Sequence, residues 1–270
     1  MNNDQYYDPI MDDLDPQGVK PGLGSVKPDA GSVKSARRTV ELLEVLADAP
    51  RRLSQTELQH ALGMPKSSLH ALLRTLVDAG WVETSERGVD YGIGLRALRA
   101  GASYLDRDPV VRVAGPVLAT LVRELDETVH LARLDGPDVV YLASRESLHH
   151  LRVTSRIGRR LPAHATALGK TLLAARSDAE ADALLPAELA AVTPSTVTSR
   201  AGLFAELEQI RVRGWAFERE QNTIGLACFA VAIPAHAGYA MSCSVPVARL
   251  EAAHQEEIVM ALVQAAAELG

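Results

Sequence analysis

The sequence predicts an α+β chain in two parts: a small helical domain closed by a β-hairpin, then a larger domain in which an antiparallel sheet lies under helical cover. Three observations predict it. Ser54 to Gly80 carries two helical stripes joined by a tight corner, Trp81 to Leu95 alternates like a hairpin, and from Pro109 onward short strand-like runs are interleaved with capped helices.

The first helix of the pair starts at Ser54, an N-cap three residues before Glu57, so that each side chain bonds the other's free backbone N–H, with Leu53 stapled on Leu58. Leu58, Ala61 and Leu62 make one stripe, and Gly63 supplies the backbone freedom that a sharp reversal needs. Pro65 suits the first position of the next helix, where its missing N–H costs nothing. Leu69, Leu72, Leu73 and Leu76 then form a second stripe that ends at Gly80. The two stripes are expected to share one core.

The other face of the second helix holds Lys66, Ser67, Ser68, His70, Arg74 and Thr75, and no carboxylate lies between Pro65 and Val77. Short side chains near a helix N-terminus let its backbone approach DNA, the positive end of the helix favours phosphate, and the longer cations reach groove edges. This predicts a helix-turn-helix. An ordinary helical hairpin with a solvated polar face is the alternative, and the hairpin after it, Trp81 to Thr84 and Tyr91 to Leu95 around a polar turn with Arg87, favours a winged helix.

These residues carry a resemblance. Leu58, Gly63-Met64-Pro65-Lys66-Ser67-Ser68, His70, Leu72-Leu73 and Leu76 resemble the DNA-binding domain of the IclR family of bacterial transcription regulators. Leu161 to Ala174, then Gly214-Trp215-Ala216-Phe217-Glu218, Gly225-Leu226-Ala227-Cys228 and Ser242-Cys243-Ser244-Val245-Pro246, are similar in order to that family's effector domain. The resemblance implies a GAF-like second domain, double-stranded operator DNA as partner, and a small-molecule effector that modulates DNA affinity. It also implies backbone contacts from Arg37 and Arg38. Gln59 and Ala71 depart from the family pattern, so the operator sequence is not implied.

The 270 residues, 47% of them hydrophobic, suffice for two domains that each bury a core. A formal net charge of -6 is unusual for a DNA binder, and its distribution matters more than its sum. Residues 1–32 hold six aspartates against Lys20 and Lys27 and show no helical or strand period, so a disordered acidic tail is expected there. Residues 33–95 form the expected DNA-binding domain, with balanced charge. Its first helix, Val33 to Ala49, is expected to face the core with Ala36, Val40, Leu43 and Ala47. Residues 96–108 form an expected linker helix whose stripe, Leu98, Ala102 and Leu105 after Leu95, lacks a local partner; a homodimer or tetramer follows.

Residues 109–270 form the expected effector-binding and oligomerisation domain. A helix over Ala114 to Leu125 has Pro116 in its first turn; strands follow at Val129 to Leu134, Val139 to Ser144 and Leu151 to Arg156. Helices are expected at Thr166 to Ala175, after the capping box at Ser177, and over Leu203 to Arg213. Strands are expected at Trp215 to Arg219, Cys228 to Ile233 and Tyr239 to Val245, and a last helix uses Leu250, Ile258, Leu262 and Leu269. Cys228 and Cys243, the only cysteines, read as buried side chains in a reducing cytoplasm, and Gly225 to Ala248 is broken by Pro234, Gly238 and Pro246, so no membrane span is expected.

No cofactor, metal or catalytic group is expected. Gly169-Lys170-Thr171 lacks the Walker A glycine, since His164 stands five positions before Gly169. His149, His150 and His164 have no metal-ligand spacing to either cysteine. An enzyme that uses Cys228 as nucleophile, and an architectural DNA binder without ligand, remain the alternatives. If Cys228, Ser242 and Ser244 share one sheet face, they present small polar groups beside a helix N-terminus that attracts carboxylate, which suits a small organic acid. The family resemblance implies effector contacts at Ala167, Leu168, Glu218, Cys228, Ser242 and Ser244. Glu218 brings a charge that repels a carboxylate, and Leu168 narrows the site.

Overall fold

The structure, a computed structural model, describes residues 33–269, and the expected tail lies outside the described residues. The chain divides into two compact units, Met1–Gly94 and Leu95–Gly270.

In the first unit, α1 (Lys34–Asp48), β1 (Leu53–Ser54), α2 (Gln55–Leu62), α3 (Lys66–Asp78), β2 (Val82–Thr84) and β3 (Asp90–Ile93) surround one core. Leu58 of α2 and Leu69, Leu73 and Leu76 of α3 meet there, each fully buried Leu contributing about 2 kcal/mol. The buried face of α1 is Leu42, Val45 and Leu46, whereas Ala36, Val40 and Ala47 are exposed and Leu43 is half-buried. Both stripes fit a helical period. The one that removes more apolar area from water wins, and two leucines outweigh two alanines. The expected two-stranded wing is a three-stranded antiparallel sheet in the order β1-β3-β2, because Leu53 and Ser54 pair with Tyr91 and Asp90. Ser54 thus ends a strand and caps a helix at once.

The second unit runs α4 (Leu95–Arg107), α5 (Pro109–Leu125), β4 (Thr128–Asp135), β5 (Asp138–Arg145), β6 (Arg160–Pro162), α6 (Ala167–Ala174), α7 (Asp178–Leu184), α8 (Arg200–Arg213), β7 (Ala216–Arg219), β8 (Leu226–Ala232), β9 (Tyr239–Pro246) and α9 (Ala252–Glu268). Its sheet is antiparallel, in the order β6-β5-β4-β9-β8-β7. Alternation divides each strand between two layers. Leu131, Phe229, Met241 and Cys243 pack with α5 and α9 on one face, while Ala132, Ala230 and Ala240 pack with α6, α7 and α8 on the other.

Several boundaries differ from expectation. Helix α5 begins at Pro109, where the Asp108 carboxylate accepts from the N–H groups of Val110 and Val111, so Pro116 sits inside the helix. Leu151 to Arg156 forms no strand, and the pairing edge on β5 is β6 instead. Leu250 precedes the last helix, which starts at Ala252.

Candidate nucleic-acid interface and effector pocket

Helix α2 is anchored by the expected capping box: the Glu57 N–H donates to Ser54 Oγ at 3.3 Å and the Ser54 N–H donates to Glu57 Oε2 at 2.8 Å. Arg51 adds a 2.6 Å ion pair, and with the Ser54 hydrogen bonds it holds the Glu57 carboxyl down at about 2. Gly63, in the left-handed region at φ 58°, turns the chain. Pro65 stands at the N-cap of α3 rather than inside it, which makes Lys66 the first helical residue.

Lys66, Ser67, Ser68, His70, Arg74 and Thr75 are all exposed, opposite buried Leu69, Leu73 and Leu76. At about 100° per residue, Lys66, His70 and Arg74 fall within an arc of about 80° on the water side. The Thr75 hydroxyl is turned back on its own helix, donating to the Ala71 carbonyl at 2.9 Å. Gln55, which the sequence analysis did not single out, joins this face: its amide reaches the Lys66 carbonyl at 3.4 Å, and it lines a cleft of about 540 Å³ with Lys66, Ser67 and His70. Its position directly after the Ser54 cap was the available signal. Arg87 is exposed in the wing turn. Arg37 is exposed but pairs with Glu41 at 3.3 Å, and Arg38 is half-buried.

In the second unit the strand register assembles the other set. Glu218 of β7 lies opposite Cys228 of β8, Cys228 opposite Ser244 of β9, and Ser244 opposite Thr128 of β4. One polar row therefore crosses four strands on the face turned to α6, and Ser242 opposite His130 begins the next row. Ser244 Oγ lies 3.2 Å from Cys228 Sγ. His130 sits between Ser242 Oγ at 3.4 Å and Ser155 Oγ at 3.1 Å, with its ring edge against Tyr141 at 4.9 Å. His130 was not singled out, although a lone His between Val129 and Leu131 points away from the apolar side of its strand.

Above this seam lies the start of α6. Thr166 Oγ1 accepts from the Gly169 N–H at 3.0 Å, and Ala167 and Leu168 are buried in the first turn, so Leu168 is a packed core residue. Any side chain on Gly169 would place its Cβ 2.2 Å from the Ala163 backbone, so this glycine lets the helix approach the preceding turn. Lys170, with no exposed surface, is bound to the Glu206 carboxylate and the Gln221 side-chain oxygen, and the Gln221 N–H donates to Glu218 Oε2 at 2.8 Å. What looked like a phosphate-binding Gly-Lys-Thr is a helix whose lysine is held in this network.

Burial dominates the electrostatics. It pushes the Glu218 carboxyl up, against the Gln221 N–H and Lys170, and pushes the Cys228 thiol well up, with Glu218 adding to the effect. A neutral thiol bonded to Ser244 is a poor nucleophile. Burial, aided by Arg159, brings His130 down to about 3, so its ring is uncharged. Ser144 Oγ, across the ladder from His130, and Asn222 Nδ2 are buried without a hydrogen-bond partner.

Residues 35–86 match the IclR helix-turn-helix domain, and residues 102–270 match the bacterial transcriptional regulator IclR C-terminal domain. The chain is similar to the HTH-type transcriptional regulator XynR of Escherichia coli, 34% identical over 205 residues, covering 76% of this chain and 81% of that protein. It is equally similar to the transcriptional repressor IclR of Escherichia coli, 34% identical over 220 residues and covering 80% of each. Its fold matches an IclR homologue from Microbacterium hydrocarbonoxydans crystallised with 4-hydroxybenzoate, with a TM-score of 0.71, 24% identity, and coverage of 87% of this chain and 97% of that one. Among the described residues no helix is long and apolar enough to cross a membrane. With a carboxylate-free helix face in one unit and a polar seam beneath α6 in the other, matched by both domain descriptions, the chain belongs to the IclR family of bacterial transcription regulators, DNA-binding proteins controlled through an effector-binding domain.

Proposed function

We propose that α3 enters the major groove of operator DNA, with Lys66, Ser67, Ser68, His70 and Arg74 directed at base edges and phosphates and Thr75 packed alongside, while Arg37, Arg38 and Arg87 hold the flanking backbone. The single observation that carries this reading is the exposed face of α3, cationic and free of carboxylate until Asp78, set opposite its leucine face. The effector is a small organic acid seated at Ala167, Leu168, Glu218, Cys228, Ser242 and Ser244. Support comes from the shared face of the last four and from the N–H groups of the first turn of α6.

Two readers are held by a homodimer or tetramer in the bacterial cytoplasm, and the effector acts by binding one arrangement better than the other. An enzyme centred on Cys228 is disfavoured, because the thiol is kept protonated and bonds a serine. The test is a gel shift on DNA upstream of the gene. Wild-type protein retards it, an organic acid changes the affinity, and Lys66→Ala with Arg74→Ala abolishes retention; a double variant that binds like wild type removes α3 from the groove.

A further inference from the structure

We infer that Arg159 is a specificity-determining residue of the effector site, the cation that receives the carboxylate of an acidic effector at the mouth of the seam. This rests on the proposed assignment of the seam as the effector site.

The argument begins with charge. Glu218 is buried on the floor, so a second carboxylate requires a cation nearby. Lys170 is committed to Glu206 and Gln221. Arg145 bonds the carbonyl of Ser144, Arg152 pairs with Glu146, Arg160 with Asp135 and Asp138, and Arg249 with Glu127. Arg156, Arg159 and Arg219 have no ion pair among the described residues, and of these Arg159 is the one whose charge acts on His130 and Tyr141.

Its place on the sheet follows from the segment 146–159, which leaves β5 and returns to it. The Gly158 N–H donates to the Tyr141 carbonyl at 2.8 Å and the Tyr141 N–H donates to the Arg159 carbonyl at 3.1 Å, so two residues oppose one. That is a β-bulge whose first member is a left-handed glycine, at φ 83°. Its effect is to set Arg159 opposite Tyr141, on the face that Tyr141 shares with Ala132 and, one step along, His130. The same segment brings Ser155 to His130, and Thr128 Oγ1 holds it by donating to the Val153 carbonyl at 3.1 Å. Arg159 therefore reaches the seam from its rim, exposed to water, and its charge acts on both His130 and Tyr141. A carboxylate bound there meets a planar guanidinium, with the uncharged His130 and the unpartnered Ser144 hydroxyl beside it as hydrogen-bonding groups.

The experiment is calorimetric titration of the full chain with acetate, pyruvate and 4-hydroxybenzoate, each against its amide, for wild type, Arg159→Gln, Arg159→Lys and Ser242→Ala. At least one acid is expected to bind well above its amide. Arg159→Gln should weaken that acid by on the order of 10- to 100-fold while leaving the amide unchanged, and Arg159→Lys should restore most of the preference. An exposed position makes Arg159→Gln fold normally, and an unchanged melting temperature verifies this. If no acid binds, or if Arg159→Gln binds acids like wild type, the inference is overturned. In the latter case, loss of binding in Ser242→Ala preserves the seam as the site, whereas wild-type binding in Ser242→Ala removes the seam as well.

Discussion

The two units handle their polar residues in opposite ways. On α3 the cations stand in water, and Lys66, Ser67, Ser68, His70 and Arg74 make no ion pair among the described residues. Beneath α6 the polar groups are bonded to one another and buried or half-buried: Lys170 to Glu206 and Gln221, Gln221 to Glu218, Cys228 to Ser244, and Ser242 to His130 to Ser155. A face meant for a polyanion gains from leaving its charges free, because pairing them would compete with phosphate. A site meant for a small molecule gains from fixing its groups beforehand, because order already present is not lost again on binding. Substitutions in the first region should change function with little cost in stability; in the second the two should move together.

The largest effect expected from this contrast is on DNA. Lys66→Ala with Arg74→Ala should weaken operator binding by about 4 kcal/mol, summed over two contacts, with the melting temperature within about 1 °C of wild type. A large drop in melting temperature would show that the face is structural and break the comparison. Next comes Gly169→Ala, which forces a Cβ into the Ala163 backbone and should destabilise the second unit by about 3 kcal/mol in denaturant unfolding, altering effector response with it. Ser54→Ala removes the side-chain half of a capping box, leaving the backbone N–H of residue 54 on Glu57, and should lower the stability of the first unit by about 1 kcal/mol.

The smallest effect is a pH dependence. His130 is held at about 3 in the fold, below its unfolded value near 6.5, so its contribution is fully present above about pH 6.5 and is lost as pH falls toward 3. From pH 8 to pH 6 this should remove about 0.8 kcal/mol from the second unit. His130→Gln should abolish that increment, and an unchanged slope in the variant would mean that another group titrates.

The reader was legible in the sequence because it rests on local rules. A Ser three before a Glu, a glycine at a reversal and leucines at helical spacing act within a few residues, and α2 and α3 follow them. Helix α1 shows the limit: two stripes fit its period, and the choice between Leu42, Val45 and Leu46 and the smaller set depends on partners distant in the chain. The seam was half legible. Ser242 and Ser244 share a face by alternation alone, but Cys228 joins them through the β8–β9 register, and His130, Ser144, Ser155 and Arg159 reach the seam through the β4–β9 and β4–β5 registers and a bulge that no periodic pattern marks. The expected strand at Leu151 to Arg156 failed for the same reason: those residues lead to the bulge, and their hydrogen bonds go to side chains such as Thr128 and Arg249.

Arg133 and Tyr239 are also a cross-strand pair, three positions beyond His130 and Ser242 on the same two strands. Arg133 donates to the Tyr104 hydroxyl of α4 at 2.8 Å and lies over the Tyr239 ring, while the Tyr239 hydroxyl donates to Asp108 at the 108–109 joint between α4 and α5 at 2.7 Å. The His130–Ser242 pair of the seam and the helix joint thus sit about 10 Å apart along one hydrogen-bonded ladder. The β4–β9 seam is thereby pinned to the α4–α5 joint at its far end by one arginine and one tyrosine, as a hasp holds a lid to its frame.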